Sequence, residues 1–285
     1  MQMKRILVLT ELNRPSEISL VFAADLAADL GVKEIVLLNV ILSAQQQALD
    51  AGRQSNLSIK SELESHLNTE ILKKHKAIIE KQAQENTNEY VKIIPHLEYS
   101  HPHYSVNDLM RKYKADLLVC GSKERSSFLE IVFGLQAREK TEKINYPMIV
   151  LTHEPVNTNI HDIVLAIDLE KPSQNGVDPI IEFSRLLNAH LQLLHIMVDS
   201  NESTHHALET LHEFAKSKNL ENYSINLLSN ENFIDGLEDF VNKIKPDMIA
   251  LVNPGKGKLD KLIFGDRNKT TESERELPVF ICETV

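Results

Sequence analysis

The sequence predicts an α/β fold built twice: two tandem doubly wound domains, each with a mainly parallel five-stranded sheet. The first observation behind this is the alternation of short unbroken apolar runs with amphipathic helical stretches, the pattern of parallel strands covered by helices on both faces. The second is repetition. From Ala115 to Thr152 the landmarks recur at one constant offset: Asp116-Leu-Leu-Val-Cys120 as Asp247-Met-Ile-Ala-Leu251, Phe133-Gly134 as Phe264-Gly265, and Pro147-Met-Ile-Val150 as Pro278-Val-Phe-Ile281. An ungapped register over that length marks a tandem duplication. The third is length, since 285 residues are enough for two hydrophobic cores. The expected domains are 1–155 and 159–285, divided by the polar stretch His153–His161 with Pro155 and Asn157-Thr-Asn159.

Arg5–Thr10 opens the chain as a strand. Asn13-Arg-Pro-Ser16 follows as a loop, with Ser16 as the expected N-cap of the first helix. Ile18, Phe22, Leu26 and Leu30 give that helix one apolar face, and Gly31 ends it. Ile35–Ile41 is the second strand. Residues 43–60 read as a polar, glutamine-rich connection. Ser61-Glu-Leu-Glu64 has capping-box spacing and begins a long helix reaching Gln84. That helix has no full-length counterpart later in the chain. It is the asymmetric surface expected to meet a partner, or else to cover the sheet. Val91–Leu97 is the third strand, Val106–Lys114 a helix, Leu117–Cys120 the fourth strand and Met148–Leu151 the fifth.

The second copy keeps the order. Ile163–Asp168, Leu191–Val198 and Ile225–Leu228 are its first three strands. Pro179–Asn188, the stretch around Leu208, Leu211 and Phe214, and Leu237–Lys245 are its helices. Asp116 and Asp247 precede the fourth strands, at the end of the sheet away from any ligand crevice, and are expected to close the turns there.

Composition narrows the function classes. A formal charge of −10 argues against a general nucleic-acid binder, since phosphate backbones are held by clustered basic residues. The apolar runs are too short to span a bilayer. The amino-terminal stretch lacks a signal-peptide core, so a cytoplasmic location is expected. Cys120 and Cys282 each lie inside a strand, as small buried hydrophobes do. His101-Pro-His103 and His205-His206 are the histidine pairs, which as solvated loop residues do not make a metal site without a third ligand. No nucleophile elbow, H-E-x-x-H run or P-loop spacing occurs, so no catalytic group or metal site is assigned.

In a doubly wound sheet, ligands bind outside the carboxyl ends of the strands, where strand order reverses. Of nine glycines, Gly121, Gly134, Gly255, Gly257 and Gly265 fall in the segments after the fourth strands. Glycine there lets backbone approach a phosphate, and it also serves plain turn geometry.

With these residues in view, the chain resembles the universal stress protein family in its tandem form, over essentially its whole length. Nucleotide-binding members carry G-x2-G-x9-G-[ST] after the fourth strand and an aspartate at the end of the first. The resemblance implies that Asp168, Gly255 and Gly265 take those roles in the second copy. Lys256 and Lys258 would supply positive charge, whereas Val252 replaces the first glycine and Asp266 the hydroxyl residue. In the first copy Gly121 and Gly134 remain, Glu124 and Leu135 depart from the motif, and Thr10 stands at the aspartate position.

The reading is therefore a cytoplasmic stress-type protein that acts by binding and protein contacts, with degenerate nucleotide motifs and no turnover. Two alternatives stand beside it. One is an adenine-nucleotide sensor holding ATP with magnesium in the second crevice, and the other a slow nucleotide or metal-assisted hydrolase. The resemblance further implies that the last strands of the two copies, ending at Leu151 and Cys282, pair within the chain as a pseudo-dimer, with further homodimerisation open.

Overall fold

The computed structural model describes residues 3–10, 14–41, 69–70, 73, 91–99, 106–121, 146–151, 158–169, 176–198, 203–252, 254, 262 and 277–282. Two compact units divide between Tyr146 and Pro147.

In the first unit β1 (Arg5–Thr10), α1 (Arg14–Asp29), β2 (Glu34–Ile41), β3 (Lys92–Tyr99), α2 (Val106–Tyr113) and β4 (Leu117–Gly121) follow in chain order. The strands are arranged β3-β2-β1-β4, all parallel. Ile6, Leu7, Val8, Leu117, Leu118 and Val119 are inaccessible to solvent, as expected of strands covered on both faces. Phe22 and Leu26 of α1 are buried as their spacing requires. Ser16, expected to cap this helix, instead lies inside it, fully buried, because α1 already begins at Arg14. Pro15 sits in the first turn, where its missing N–H has no intrahelical partner to lose. Of the expected Ser61–Gln84 helix, Thr69, Glu70 and Lys73 are described and are helical. The remainder of that segment, the 43–60 connection and the His101-Pro-His103 loop lie outside the described residues.

In the second unit β5 (Met148–Leu151), β6 (Asp162–Ala166), α3 (Asp178–Leu186), β7 (His190–Met197), α4 (Thr204–Ser217), β8 (Tyr223–Ser229), α5 (Phe233–Ile244), β9 (Met248–Val252) and β10 (Val279–Cys282) are arranged as β5-β10-β9-β6-β7-β8. The ladders from β10 to β8 are parallel. Ser203 caps α4 and Asn232 caps α5, whose side chain accepts from Ile234 N at 2.8 Å. Phe183 of α3 packs against Phe280 of β10 with ring centroids 4.7 Å apart.

β5 runs antiparallel to β10, with Met148 opposite Ile281, Ile149 opposite Phe280 and Val150 opposite Val279. The sequence repeat makes Ile149 the counterpart of Phe280, so each strand faces its own equivalent in reverse order. The repeat assigns β5 to the first copy, while β5 lies in the second compact unit.

The two copies share a frame at the amino ends of their strands. Asp116 Oδ2 accepts from the backbone N–H of Lys4 and Arg5 at 2.7 and 3.1 Å. Asp247 Oδ2 does the same for His161 and Asp162 at 2.8 and 3.0 Å. Each aspartate thereby closes its turn, as the sequence led one to expect. Gly31 and Asn188, which follow α1 and α3, both adopt positive φ, and so do Lys114 and Lys245, which follow α2 and α5. A left-handed residue after a helix lets the chain turn back while satisfying a terminal carbonyl.

Candidate functional site

β1 and β6 are the strands at which chain direction across the sheet reverses. From β1 the chain crosses to β2 and β3 on one side and later returns to β4 on the other; β6 stands likewise between β7 and β9. The two candidate crevices therefore lie at the carboxyl ends of β1/β4 and β6/β9.

In the first copy helix α1 covers this end tightly. Gly121 closes β4, and a Cβ placed on it would overlap the Pro15 carbonyl oxygen and the Ser19 hydroxyl oxygen. Only glycine fits this approach without a shift of backbone. Ser19 Oγ in turn donates to the Pro15 carbonyl at 3.0 Å, tying together the two α1 residues that face Gly121. Thr10 ends β1 with 3% of its surface exposed. Its carbonyl accepts from Asn39 Nδ2 at 2.7 Å.

The second copy is built differently at the same place. Val252 ends β9 half-buried where Gly121 ends β4, and α3 begins only at Asp178, after a turn at Gly176-Val177. Asp168 lies just beyond β6 and is exposed. Ile167 before it is buried; its N–H donates to the Leu194 carbonyl at 2.8 Å, and its own carbonyl lies 2.9 Å from His195 Nδ1. A carbonyl can only accept, so His195 carries its proton on Nδ1. Burial pushes the Cys282 thiol well up from its usual value. Cys282 is therefore protonated at neutral pH and unsuited to nucleophilic work.

Strand register corrects one equivalence. Ile6 is opposite Leu117 and Ile163 is opposite Met248. Counting forward from these matched positions, Thr10 corresponds to Ile167 and Glu11 to Asp168. The position expected at Thr10 is thus one residue further on, and the first copy has a carboxylate of its own in the sequence there. Glu11 lies outside the described residues, as do Gly134, Gly255, Gly265, Lys256 and Lys258. Of the expected site residues, Asp168 and Gly121 are described: Asp168 at an exposed strand end, Gly121 as a packing contact against α1.

His195 was not among the residues the sequence singled out. Its signal is a histidine set among Leu193, Leu194, Ile196 and Met197 of β7, at the position where β2 has Asn39. His205 and His206, expected in a loop, instead lie in the first turn of α4, which Ser203 caps; His205 is exposed and pairs with Glu209 on the same helix, Nδ1 to Oε2 3.4 Å. Among the described residues no three His, Cys, Asp or Glu side chains converge as a metal site. Among them, too, no helix is long and apolar enough to cross a membrane.

Comparison with known proteins agrees with this architecture. A universal stress protein from Archaeoglobus fulgidus DSM 4304 superposes with a TM-score of 0.62 at 17% identity, covering 98% of this chain and 96% of that one. A putative universal stress protein from Pseudomonas aeruginosa UCBPP-PA14 gives 0.54 at 12% identity, over 99% and 93% of the two chains. A further universal stress protein from Archaeoglobus fulgidus, solved in complex with dAMP, covers 44% of this chain and 98% of its own, at 17% identity and a TM-score of 0.34. Among curated proteins nothing matches. The model of the Universal stress protein family matches residues 3–151, more than half of the chain, and the protein belongs to that family.

Proposed function

We propose that this protein acts by binding and protein contact rather than by turnover, and that its one small-molecule crevice lies in the second copy, at the carboxyl ends of β6 and β9. The observation that carries the reading is Asp168: an exposed carboxylate just past the strand where sheet order reverses. The position suits a ribose, whose paired hydroxyls donate to a carboxylate. Family membership makes an adenine nucleotide the ligand of choice, with magnesium and Lys256 offsetting phosphate charge near Asp266. Gly255 and Gly265 would give the phosphates close access to backbone N–H groups. In the first copy Gly121 is engaged with α1, which supports assigning that crevice a packing role. No described group is arranged as a nucleophile with its base, and a slow hydrolase has no observation of its own to favour it.

Calorimetric titration of nucleotide-stripped protein with magnesium ATP tests the proposal. One site per chain is expected. Asp168→Ala should weaken it about 10- to 100-fold, the range for a lost hydrogen bond to a charged group. No heat at millimolar nucleotide together with an unchanged melting temperature would remove the nucleotide and leave protein contact alone.

A further inference from the structure

The two copies end their first strands with the same contact made by different residues. In the first, Asn39 on β2 stands opposite Thr10 on β1, and its side-chain amide donates to the Thr10 carbonyl at 2.7 Å. In the second, His195 on β7 takes the corresponding place and donates from Nδ1 to the Ile167 carbonyl at 2.9 Å. His195 is 4% exposed, one of few polar side chains in the buried set. A buried polar group of this kind is retained only where its hydrogen bonds are made, since leaving one unmade costs about 1 to 3 kcal/mol.

The bonded carbonyl belongs to the peptide that joins Ile167 to Asp168. Beyond Ala166 the ladder between β6 and β7 continues only through the Ile167 N–H to Leu194. The carbonyl on the other side of Ile167 is the last backbone group before the exposed aspartate, and the imidazole holds it. Rotation of that peptide would re-aim the Asp168 backbone and with it the carboxylate. Displacements of about 1 Å are enough to lose a precisely placed polar contact.

We propose that His195 is a positioning residue of the second crevice, fixing the Ile167–Asp168 peptide so that the Asp168 carboxylate meets its ligand in one orientation. The proposal rests on the nucleotide reading of that crevice for its consequence, though the latch itself is independent of any ligand. Asn39 supplies the control substitution, because it shows a side-chain amide making the equivalent bond at the equivalent place.

The experiment compares wild type, His195→Asn and His195→Leu in the full chain by two readouts: magnesium ATP titration and native-state amide exchange. His195→Leu is expected to bind at least tenfold more weakly, and to exchange the Ile167 and Asp168 amides faster while Val164 within β6 keeps its protection. His195→Asn should restore both, with affinity within about threefold of wild type. Equal affinity of His195→Leu and wild type would overturn the positioning role, as would an Asn variant as weak as the Leu variant. If His195→Leu also loses protection throughout β6, the residue is a general core element and the proposal fails. Should wild type itself bind no nucleotide, the nucleotide reading falls and the positioning role falls with it, while exchange alone still reports whether the latch holds the strand end.

Discussion

The two copies are alike at the amino ends of their strands and, apart from the side-chain bond to the Thr10 or Ile167 carbonyl, unlike at the carboxyl ends. Asp116 and Asp247 make the same pair of backbone bonds, and left-handed residues follow corresponding helices. At the opposite end, Gly121 lies against the first turn of α1, whereas Val252 stands in its place and Asp168 is exposed beside it. Duplication thus preserved the contacts that hold strands in register and released the packing of the first helix against the end of the fourth strand. Even the shared end tolerates exchange of partners where only attraction matters. Arg5 opposite Glu34 in the first copy is answered by Asp162 opposite His190 in the second, the carboxylate having changed strands.

The sharpest way to break the comparison is to exchange the residues that differ. Gly121→Val should destabilise the protein by about 3 kcal/mol, since backbone rather than a flexible side chain must give way. Val252→Gly should cost only about 1 kcal/mol, through lost burial and added chain entropy. Urea midpoints of the two variants measure this, and similar losses would erase the claimed asymmetry. Next in size, Asp116→Ala and Asp247→Ala each leave two backbone donors without their carboxylate, a loss of about 2 kcal/mol apiece. The two values should agree within about 0.5 kcal/mol if the frame is truly common; a large effect in one copy alone would contradict it.

The smallest effect concerns the exchanged pair. Hydrogen bonding to Arg5, then its charge, holds the Glu34 carboxyl below its ordinary value, with Lys92 adding a lesser attraction against the opposing effect of burial. A carboxyl depressed in the folded state contributes stability that is present above its unfolded pKa and fades as pH falls through the folded one. Glu34→Gln should therefore flatten the acid side of the stability profile, below the ordinary carboxylate range, and leave its slope near neutrality unchanged. An altered slope at neutral pH would assign the effect to another group.

Much of the fold was legible because buried parallel strands leave unbroken apolar runs. Arg5–Thr10, Met148–Leu151 and Val279–Cys282 coincide with the sequence expectation, and most other strands differ by a residue or two at their ends. Helix starts were less legible. Ser16 looked like a cap, but a proline in the first turn let the helix begin earlier. The pairing of β5 with β10 came from the family resemblance, because strand partners are not written in the strands themselves. At the site, Asp168 could be found as a carboxylate ending an apolar run, yet its counterpart was misplaced by one residue until strand register identified Glu11. His195 escaped notice because a histidine within a strand gives no sign of which carbonyl it will meet.

The reciprocal ladder between β5 and β10 builds the last strand of the first copy into the sheet of the second. A protease cut in the 152–157 segment would divide the sequence at its repeat boundary, but it would leave the β5–β10 ladder in place. If the amino-terminal fragment were removed, β10 would become an edge, with Val279–Cys282 offering unpaired backbone beside apolar side chains, a template for aggregation. Left together, the nicked pieces should stay associated through Met148–Val150. A duplication that began as copying has left one strand of the first copy in the sheet of the second, so the boundary of the repeat and the boundary of the sheet no longer coincide.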